Sequence, residues 1–89
     1  MTYEWNQDKR LKNFLKHGVE FSDAAIVLED DFAITIQDLF KDEERFITIG
    51  RDAHGRILVV VYAHKQDVFR IISARKANKQ EREIYEKKL

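Results

Sequence analysis

The chain lacks cysteine and proline altogether, and it has one methionine and three glycines among its 89 residues. The absence of cysteine excludes disulfide bonds and thiolate metal sites, and it fits a reducing compartment. The glycines are scattered at Gly18, Gly50 and Gly55, so the sequence contains no glycine-rich loop of the kind that cradles phosphates. Mononucleotide binding through such a loop is therefore not expected.

Long apolar segments are also missing. The longest unbroken apolar run, Ile57–Ala63, is far too short to cross a bilayer, and no apolar signal segment follows Met1. Secretion and membrane insertion are therefore not expected, and we predict a cytoplasmic protein.

With 44% hydrophobic residues there is material for one modest core, so we predict a single domain over residues 1–89 that gains stability from a partner.

The formal net charge is zero, but the charges are unevenly distributed along the chain. Residues 1–18 carry four basic and two acidic side chains. Residues 19–44 carry one basic and nine acidic side chains, and residues 45–89 carry eleven basic and five acidic side chains. A cationic C-terminal half suits a phosphate backbone, while an acidic middle suits a basic partner. The alternative, favoured by composition alone, is that the two signs meet across the folded surface and cancel.

The N-terminal part of the chain predicts a short extended segment, Tyr3–Trp5, followed by a first helix. Asn6 is a suitable N-cap, and the helix ends at His17, where Gly18 supplies the left-handed residue that helix ends favour. Apolar residues at helical spacing form one stripe, consisting of Leu11, Phe14 and Leu15. A polar ridge, interpreted as a solvated face, contains Lys9, Asn13 and Lys16.

Two further helices are predicted. The short second helix, Asp23–Leu28, takes Ser22 as its N-cap, and the acidic run Glu29–Asp31 forms the loop after it, because its charge opposes the helix dipole. The last helix covers about Asn78–Lys87. Asn78 and Glu81 have the spacing of a capping box.

From residue 33 onwards the apolar period changes to two, which is typical of strands. Four strands are predicted: Ala33–Phe40, Arg45–Arg51, Arg56–Ala63 and Val68–Ala74. The short polar links between them, Lys41–Glu43, Asp52–Gly55 and His64–Asp67, require antiparallel hairpins. Arg56–Ala63 is the most continuously apolar strand, so we place it at the centre, covered on both faces. The predicted fold is α+β, with two N-terminal helices, a four-stranded antiparallel sheet and a C-terminal helix.

The last predicted strand acquires arginines and then passes directly into the last helix. Alternation places Arg70 on one strand face beside Val68 and Ile72. An arginine there must reach water, pair with a carboxylate or bind an anionic ligand, because an unpaired buried charge is costly. Arg75 and Lys76 follow in the corner between strand and helix, a position that suits anion binding.

Metal chemistry has little support in the sequence. The histidines His17, His54 and His64 lack a metal-ligand spacing, and the last two fall in predicted hairpin loops. The carboxylates cluster in the loops Glu29–Asp31 and Asp42–Glu44 rather than on rigid elements, where metal nucleases usually hold their ligands. We predict no metal site and no cofactor.

Metal-free cleavage of RNA needs fewer groups. The 2′-hydroxyl is the nucleophile, so the protein must orient it, assist proton transfer and stabilise the charge on the phosphorane. Suitable cations are Arg45, Arg70 and Arg75. Either Glu44 or His17 is suitable as base or acid. Each also has a structural interpretation, as a surface ion pair, a cross-strand pair or a helix-end residue.

Several pieces of the sequence, taken together, resemble the BrnT toxins of bacterial type II toxin–antitoxin modules, over nearly the full length of the chain. These pieces are Glu4-Trp5-Asn6 with Lys9, Asn13 and Lys16-His17-Gly18-Val19 before Phe21, Glu44-Arg45-Phe46 with Gly50, Leu58–Tyr62, and Arg70–Arg75 followed by Ala77, Glu81 and Tyr85. The resemblance implies a RelE-like fold and metal-independent RNA cleavage that inhibits translation and growth. It also implies neutralisation by a BrnA-like ribbon-helix-helix antitoxin in a hetero-oligomer, with operator DNA contacted only through the antitoxin.

The resemblance also directs the choice of site residues. We predict Arg70 and Arg75 for phosphate binding and His17 or Glu44 for proton transfer, with base and acid unassigned. The predicted RNA-binding residues are Lys16, Arg45 and Lys76. The alternative function is that of a catalytically inactive toxin-like domain that acts through antitoxin binding and promoter autoregulation.

Overall fold

The structure, a computed structural model, describes residues 1–38 and 44–87. In these ranges the elements follow in the order β1 Thr2–Glu4, α1 Gln7–His17, α2 Phe21–Val27, β2 Ile34–Asp38, β3 Arg45–Arg51, β4 Ile57–Lys65, β5 Val68–Lys76 and α3 Lys79–Glu86. The predicted α+β class is confirmed. The last two residues of the predicted strand Ala33–Phe40 and the predicted link Lys41–Glu43 lie outside the described residues.

The strands form one sheet in the order β1-β5-β4-β3-β2. β2 to β5 pair antiparallel with their sequence neighbours, as predicted. The prediction of a four-stranded, wholly antiparallel sheet behind two N-terminal helices was wrong, because β1 precedes the helices and pairs in parallel with β5, with Thr2 opposite Val68 and Glu4 opposite Arg70. A three-residue strand shows no periodicity, so its distant partner cannot be inferred from the local pattern.

β4 lies at the middle of the sheet, as its apolar sequence predicted. The consecutive residues Leu58, Val59 and Val60 are all buried, so both faces are covered there. On one face α2 packs against β4, and the core comprises Val19, Phe21, Ala24, Val27, Leu58, Val60, Tyr62, Ile71 and Ala74. α2 also lies very close to β3, since a Cβ atom added to Gly50 of β3 would lie 2.9 Å from the Cγ1 atom of Val27 of α2. None of the helices in the described ranges has the length and apolar character of a membrane span.

The helix caps agree with the sequence in two of three helices. Asn6 caps α1 by accepting a hydrogen bond from the backbone N–H of Lys9, and Gly18 ends the helix with a φ of 69°. Asn78 and Glu81 form the predicted capping box of α3.

The predicted start of the second helix was wrong. α2 begins at Phe21 after the N-cap Glu20, whose side chain makes no capping hydrogen bond, and Ser22 lies inside the helix. Phe21 is fully buried in the core. Burial of a large aromatic side chain therefore decides where this helix starts, ahead of the capping preference of serine.

α1 is oriented differently from what its amphipathic pattern suggests. The apolar stripe faces outwards, with Leu11 49%, Phe14 42% and Leu15 75% exposed, whereas Asn13, read as part of a solvated ridge, is 8% exposed. The Asn13 amide donates to the carbonyl oxygens of Val19 and Ala74, at 3.2 and 2.8 Å, and its Oδ1 accepts from the N–H of Ala74 at 3.1 Å. β1 covers β5 only along residues 68–70. Asn13 therefore satisfies the backbone where that strand edge would otherwise be open.

We expect Asn13→Ala to lower the free energy of unfolding by about 2–3 kcal/mol, because both backbone groups of Ala74 lose their partner in a buried position. Urea unfolding followed by circular dichroism measures the change, with the exposed neighbour Lys12→Ala as control. Equal stability of Asn13→Ala and wild type would show that water replaces the amide without cost.

Asp30 connects three elements just after α2. Its Oδ2 accepts hydrogen bonds from the N–H of Arg51 at 2.8 Å and from the hydroxyl of Tyr85 at 2.6 Å, and its Oδ1 accepts from the N–H of Phe32 at 3.0 Å. Burial opposes ionisation of the carboxyl, but these hydrogen bonds, led by that from Tyr85, prevail and lower the pKa of Asp30. The middle of the acidic run Glu29–Asp31 is thus a structural junction rather than a solvated loop.

A lowered folded-state pKa means that ionised Asp30 stabilises the fold above the usual aspartate pKa of 3.8, and that this stabilisation is lost as the pH falls through the folded-state value. We therefore expect Asp30→Asn to be less stable than wild type at neutral pH, with the difference shrinking below about pH 4. Denaturant unfolding across this pH range measures it, and Asp31→Asn is the exposed control. A difference that stays constant with pH would contradict a role for the ionised carboxylate.

Candidate functional site

The structure divides the seven predicted site residues into three groups around the sheet. Lys16 and His17 lie on α1, beside the edge of β5. Glu44, Arg45 and Arg70 lie where β3 and β5 begin, and Arg75 and Lys76 lie where β5 ends. Arg70 and Arg75 are five positions apart on one strand, roughly 15 Å, so the two arginines cannot bind a single phosphate together.

The first group lines a shallow hollow between α1 and β5, of about 230 Å³. We call it the α1–β5 hollow, and its lining consists of Lys9, Lys12, Asn13, Lys16, His17, Ile72 and Ser73. It exists because the Asn13 amide holds α1 against Ala74, which brings the lysine side of the helix up to the strand. Three ammonium groups, one imidazole and one hydroxyl therefore converge on a surface open to solvent.

The second group belongs to a row of side chains that crosses all five strands. By register, Asp38 is opposite Arg45, Arg45 opposite Ala63, Ala63 opposite Arg70 and Arg70 opposite Glu4. We call this the arginine row. The two arginines lie on either side of Ala63 in the sheet, with an acidic residue beyond each on the outer strands.

The arginine row has one buried side-chain polar atom without a hydrogen-bond partner in the described part of the chain. The Nε atom of Arg45 is buried and makes no hydrogen bond with any described residue. An open hollow of about 290 Å³ lies at the same end of the sheet, lined by Glu4, Ala63, Lys65, Gln66, Val68 and Arg70. Glu44 precedes β3 there and is exposed.

The third group is held more tightly than the sequence suggested. Arg75 makes a bidentate ion pair with Glu81, with Nη1–Oε1 and Nη2–Oε2 distances of 2.8 and 2.9 Å. These hydrogen bonds raise the pKa of Arg75 and lower that of Glu81. Glu81 also accepts from the N–H of Asn78 as part of its cap. Lys76 is exposed beside a separate hollow of about 400 Å³ that it shares with Arg51, Arg56 and Arg82.

The sequence interpretation missed His64. It was assigned to a hairpin loop, but β4 continues to Lys65 and the turn to β5 is correspondingly short. The imidazole stacks on the ring of Phe69, with centroids 4.0 Å apart and planes inclined by 12°. The alternation of Val60, Tyr62 and His64 along one strand face was the available signal.

No group of three or more histidine and carboxylate side chains within residues 1–38 and 44–87 is arranged to hold a metal ion.

A family model described as "Ribonuclease toxin, BrnT, of type II toxin-antitoxin system" matches residues 5–81 of the chain. Among solved structures, the chain is similar to the ribonuclease toxin BrnT of Brucella abortus, with a TM-score of 0.65 and 24% sequence identity, over 89% of this chain and 100% of that chain. At this identity the likeness shows a shared fold. No curated protein matches the chain in sequence.

Proposed function

The chain belongs to the BrnT family of ribonuclease toxins of type II toxin–antitoxin systems, and from that premise we propose that it is a metal-independent endoribonuclease that inhibits translation and growth in a bacterial cytoplasm. The match over residues 5–81 carries this proposal. Membership of such a system implies an antitoxin partner. We assign that role to a BrnA-like ribbon-helix-helix protein, which forms a hetero-oligomer with this RelE-like toxin and is its sole link to operator DNA.

The proposed reaction is attack of a 2′-oxygen on the adjacent phosphorus. The bond from O2′ to phosphorus forms and the bond from phosphorus to O5′ breaks, which leaves a cyclic phosphate and a free 5′-hydroxyl. A base accepts the proton of the 2′-hydroxyl, an acid protonates O5′, and cations stabilise the phosphorane. The protein's contribution is thus orientation, two proton transfers and positive charge.

The α1–β5 hollow offers these groups in one place. His17 is half-buried beside Lys16, and the hydroxyl of Ser73 lines the same hollow. Glu44, the other predicted proton-transfer residue, lies with the arginine row instead. This grouping favours His17 as the proton-transfer residue near the lysines, with the arginine row as a second contact for the RNA backbone.

Purified protein should therefore cleave RNA in the presence of EDTA, leave 2′,3′-cyclic phosphate ends, and stop when its antitoxin is added. His17→Gln should lower the cleavage rate about 100-fold or more, because it removes the group assigned to proton transfer.

His54→Gln is the matched control, since His54 lies in the turn between β3 and β4. Equal cleavage rates for wild type and His17→Gln would leave His17 as a helix-end residue. Folded wild-type protein that leaves all RNA intact would contradict the proposed activity itself.

Two observations favour the rival function, antitoxin binding and promoter control without turnover. First, acidic residues of the segment 19–44 form ion pairs with basic residues outside it: Glu20 pairs with Arg10 at 3.0 Å, and Asp23 pairs with Arg56 at 3.2 Å. In addition, Glu81 occupies the forked face of the Arg75 guanidinium. RNA must compete with that carboxylate for the two guanidinium nitrogens.

The pair Arg75→Ala and Glu81→Gln separates these roles. We expect Arg75→Ala to abolish growth inhibition in a folded protein, because it removes a cation beside Ser73 on the same strand face. Glu81→Gln should retain cleavage, since a glutamine oxygen still accepts from Asn78 while the guanidinium becomes available to phosphate. Cleavage rates and thermal unfolding of both variants provide the measurement. Equal loss of stability and activity in the two would restrict Arg75 to a structural role.

A further inference from the structure

We propose that His64 is a stacking platform for one base of single-stranded RNA, with the phosphate of that nucleotide bound between Lys65 and the arginine row. The inference rests on the proposed ribonuclease function and adds a nucleotide subsite to it. It applies to the end of the sheet where β3 and β5 begin, away from the α1–β5 hollow.

The imidazole of His64 is fixed in place before any ligand binds. Phe69 covers one of its faces at 4.0 Å, and the ring of Phe46 lies edge-on with centroids 6.3 Å apart. Phe69 is itself packed against Tyr62 and Tyr3, at 5.8 and 5.6 Å. His64 is nevertheless exposed. A rigid aromatic stack that ends in an exposed ring is the arrangement on which unpaired bases stack in proteins that bind single strands.

A hollow of about 260 Å³ lies beside this ring, lined by Glu44, Ala63, His64 and Lys65. Among the described residues, Glu44 supplies the one carboxylate of this hollow, and a carboxylate can accept hydrogen bonds from a base but cannot donate them. Cytosine, adenine and guanine carry an exocyclic amino group that suits such an acceptor, whereas uracil presents carbonyl oxygens in its place. The subsite is therefore expected to prefer a base with an amino group over uracil.

The phosphate of the same nucleotide has cations close by. Ala63 and Lys65 also line the neighbouring hollow of about 290 Å³ that contains Arg70. By alternation these two residues lie on the face of β4 opposite to His64, so the nucleotide reaches around the end of this strand, with its base on one face and its phosphate on the other. On the other side of Ala63, Arg45 adds a second positive charge to this part of the sheet.

The test uses a short single-stranded oligonucleotide with 2′-O-methyl riboses, which cannot be cleaved, and with 2-aminopurine as its only purine among uracils. Stacking quenches 2-aminopurine fluorescence, so the signal reports contact with a ring rather than phosphate binding alone. We expect quenching by wild type. His64→Ala should remove the quenching and raise Kd about fivefold or more, as the loss of one stacked base does.

Three variants sharpen the test. His64→Phe should keep the quenching, because a phenyl ring stacks as well, and His54→Ala should behave as wild type. Glu44→Gln should narrow the preference for cytosine over uracil in otherwise identical oligonucleotides, and this readout holds even where His64→Ala fails to fold. Wild type that binds without quenching, wild type that does not bind, or His64→Ala with unchanged quenching and Kd would each overturn the proposal.

The proposed function is decided separately, by cleavage of cellular RNA in EDTA. Cleavage by wild type together with unaltered binding by His64→Ala would contradict the stacking subsite and support the ribonuclease function. If the quenching depends on His64 but the wild-type protein does not cleave RNA, the ribonuclease function is contradicted and the subsite is a binding site for single strands.

Discussion

The backbone of Ala74 is the constraint on which the arrangement of α1 depends. β5 is bordered by β1 along only its first three residues, and beyond them its outer edge has to be satisfied by something else. The carboxamide of Asn13 is suited to this, since it presents one acceptor and one donor group to the two backbone groups of Ala74. Once Asn13 points towards β5, helix geometry turns Lys9, Lys16 and His17 towards the strand as well. Leu11 and Leu15 then lie on the side of the helix that faces solvent. The lysine-lined hollow and the exposed apolar stripe are two results of one side-chain contact.

The cations of α1, β3 and β5 differ in how far they are already paired with other groups. Arg75 is committed to Glu81, whereas the lysines of α1 project into open solvent and the Nε of Arg45 is buried without a partner in the described chain. Desolvated or unpaired donors gain more from an anion than donors already paired with a carboxylate. The zero net charge of the chain is therefore a poor guide to its affinity for polyanions. Local geometry decides which cations remain available.

The parts of the fold that the sequence predicts well are those encoded within a few residues. The caps at Asn6 and Asn78, the left-handed Gly18 and the antiparallel hairpins depend on local chemistry, and each is confirmed. What the sequence does not reveal are contacts between distant segments, such as the pairing of β1 with β5 and the inward orientation of Asn13. The amphipathic stripe of α1 was misleading because a single buried amide outweighs three apolar residues when an open strand edge must be satisfied.

The candidate site shows the same division. The sequence identified His17, Arg70 and Arg75 as chemically active residue types, but not that Arg75 and Glu81 pair, nor that His64 stacks on Phe69. Both relations require knowledge of where β4 and β5 end. Residue type is readable from the chain, whereas the partner that limits or supports a residue is a property of the folded molecule.

The parallel pairing of β1 with β5 also has a consequence for how the protein is made. The first residues of the chain find their partners only in residues 68–74, so these contacts are among the most distant in sequence that the fold contains. Distant contacts form late and slow the folding of small domains. On the ribosome, β1 and α1 leave the exit tunnel long before β5 is synthesised, and at that stage α1 has no strand edge to dock against. The histidine and lysines of α1 are therefore brought to Ser73 only after β5 has been translated, so that a product that terminates before β5 lacks this surface entirely.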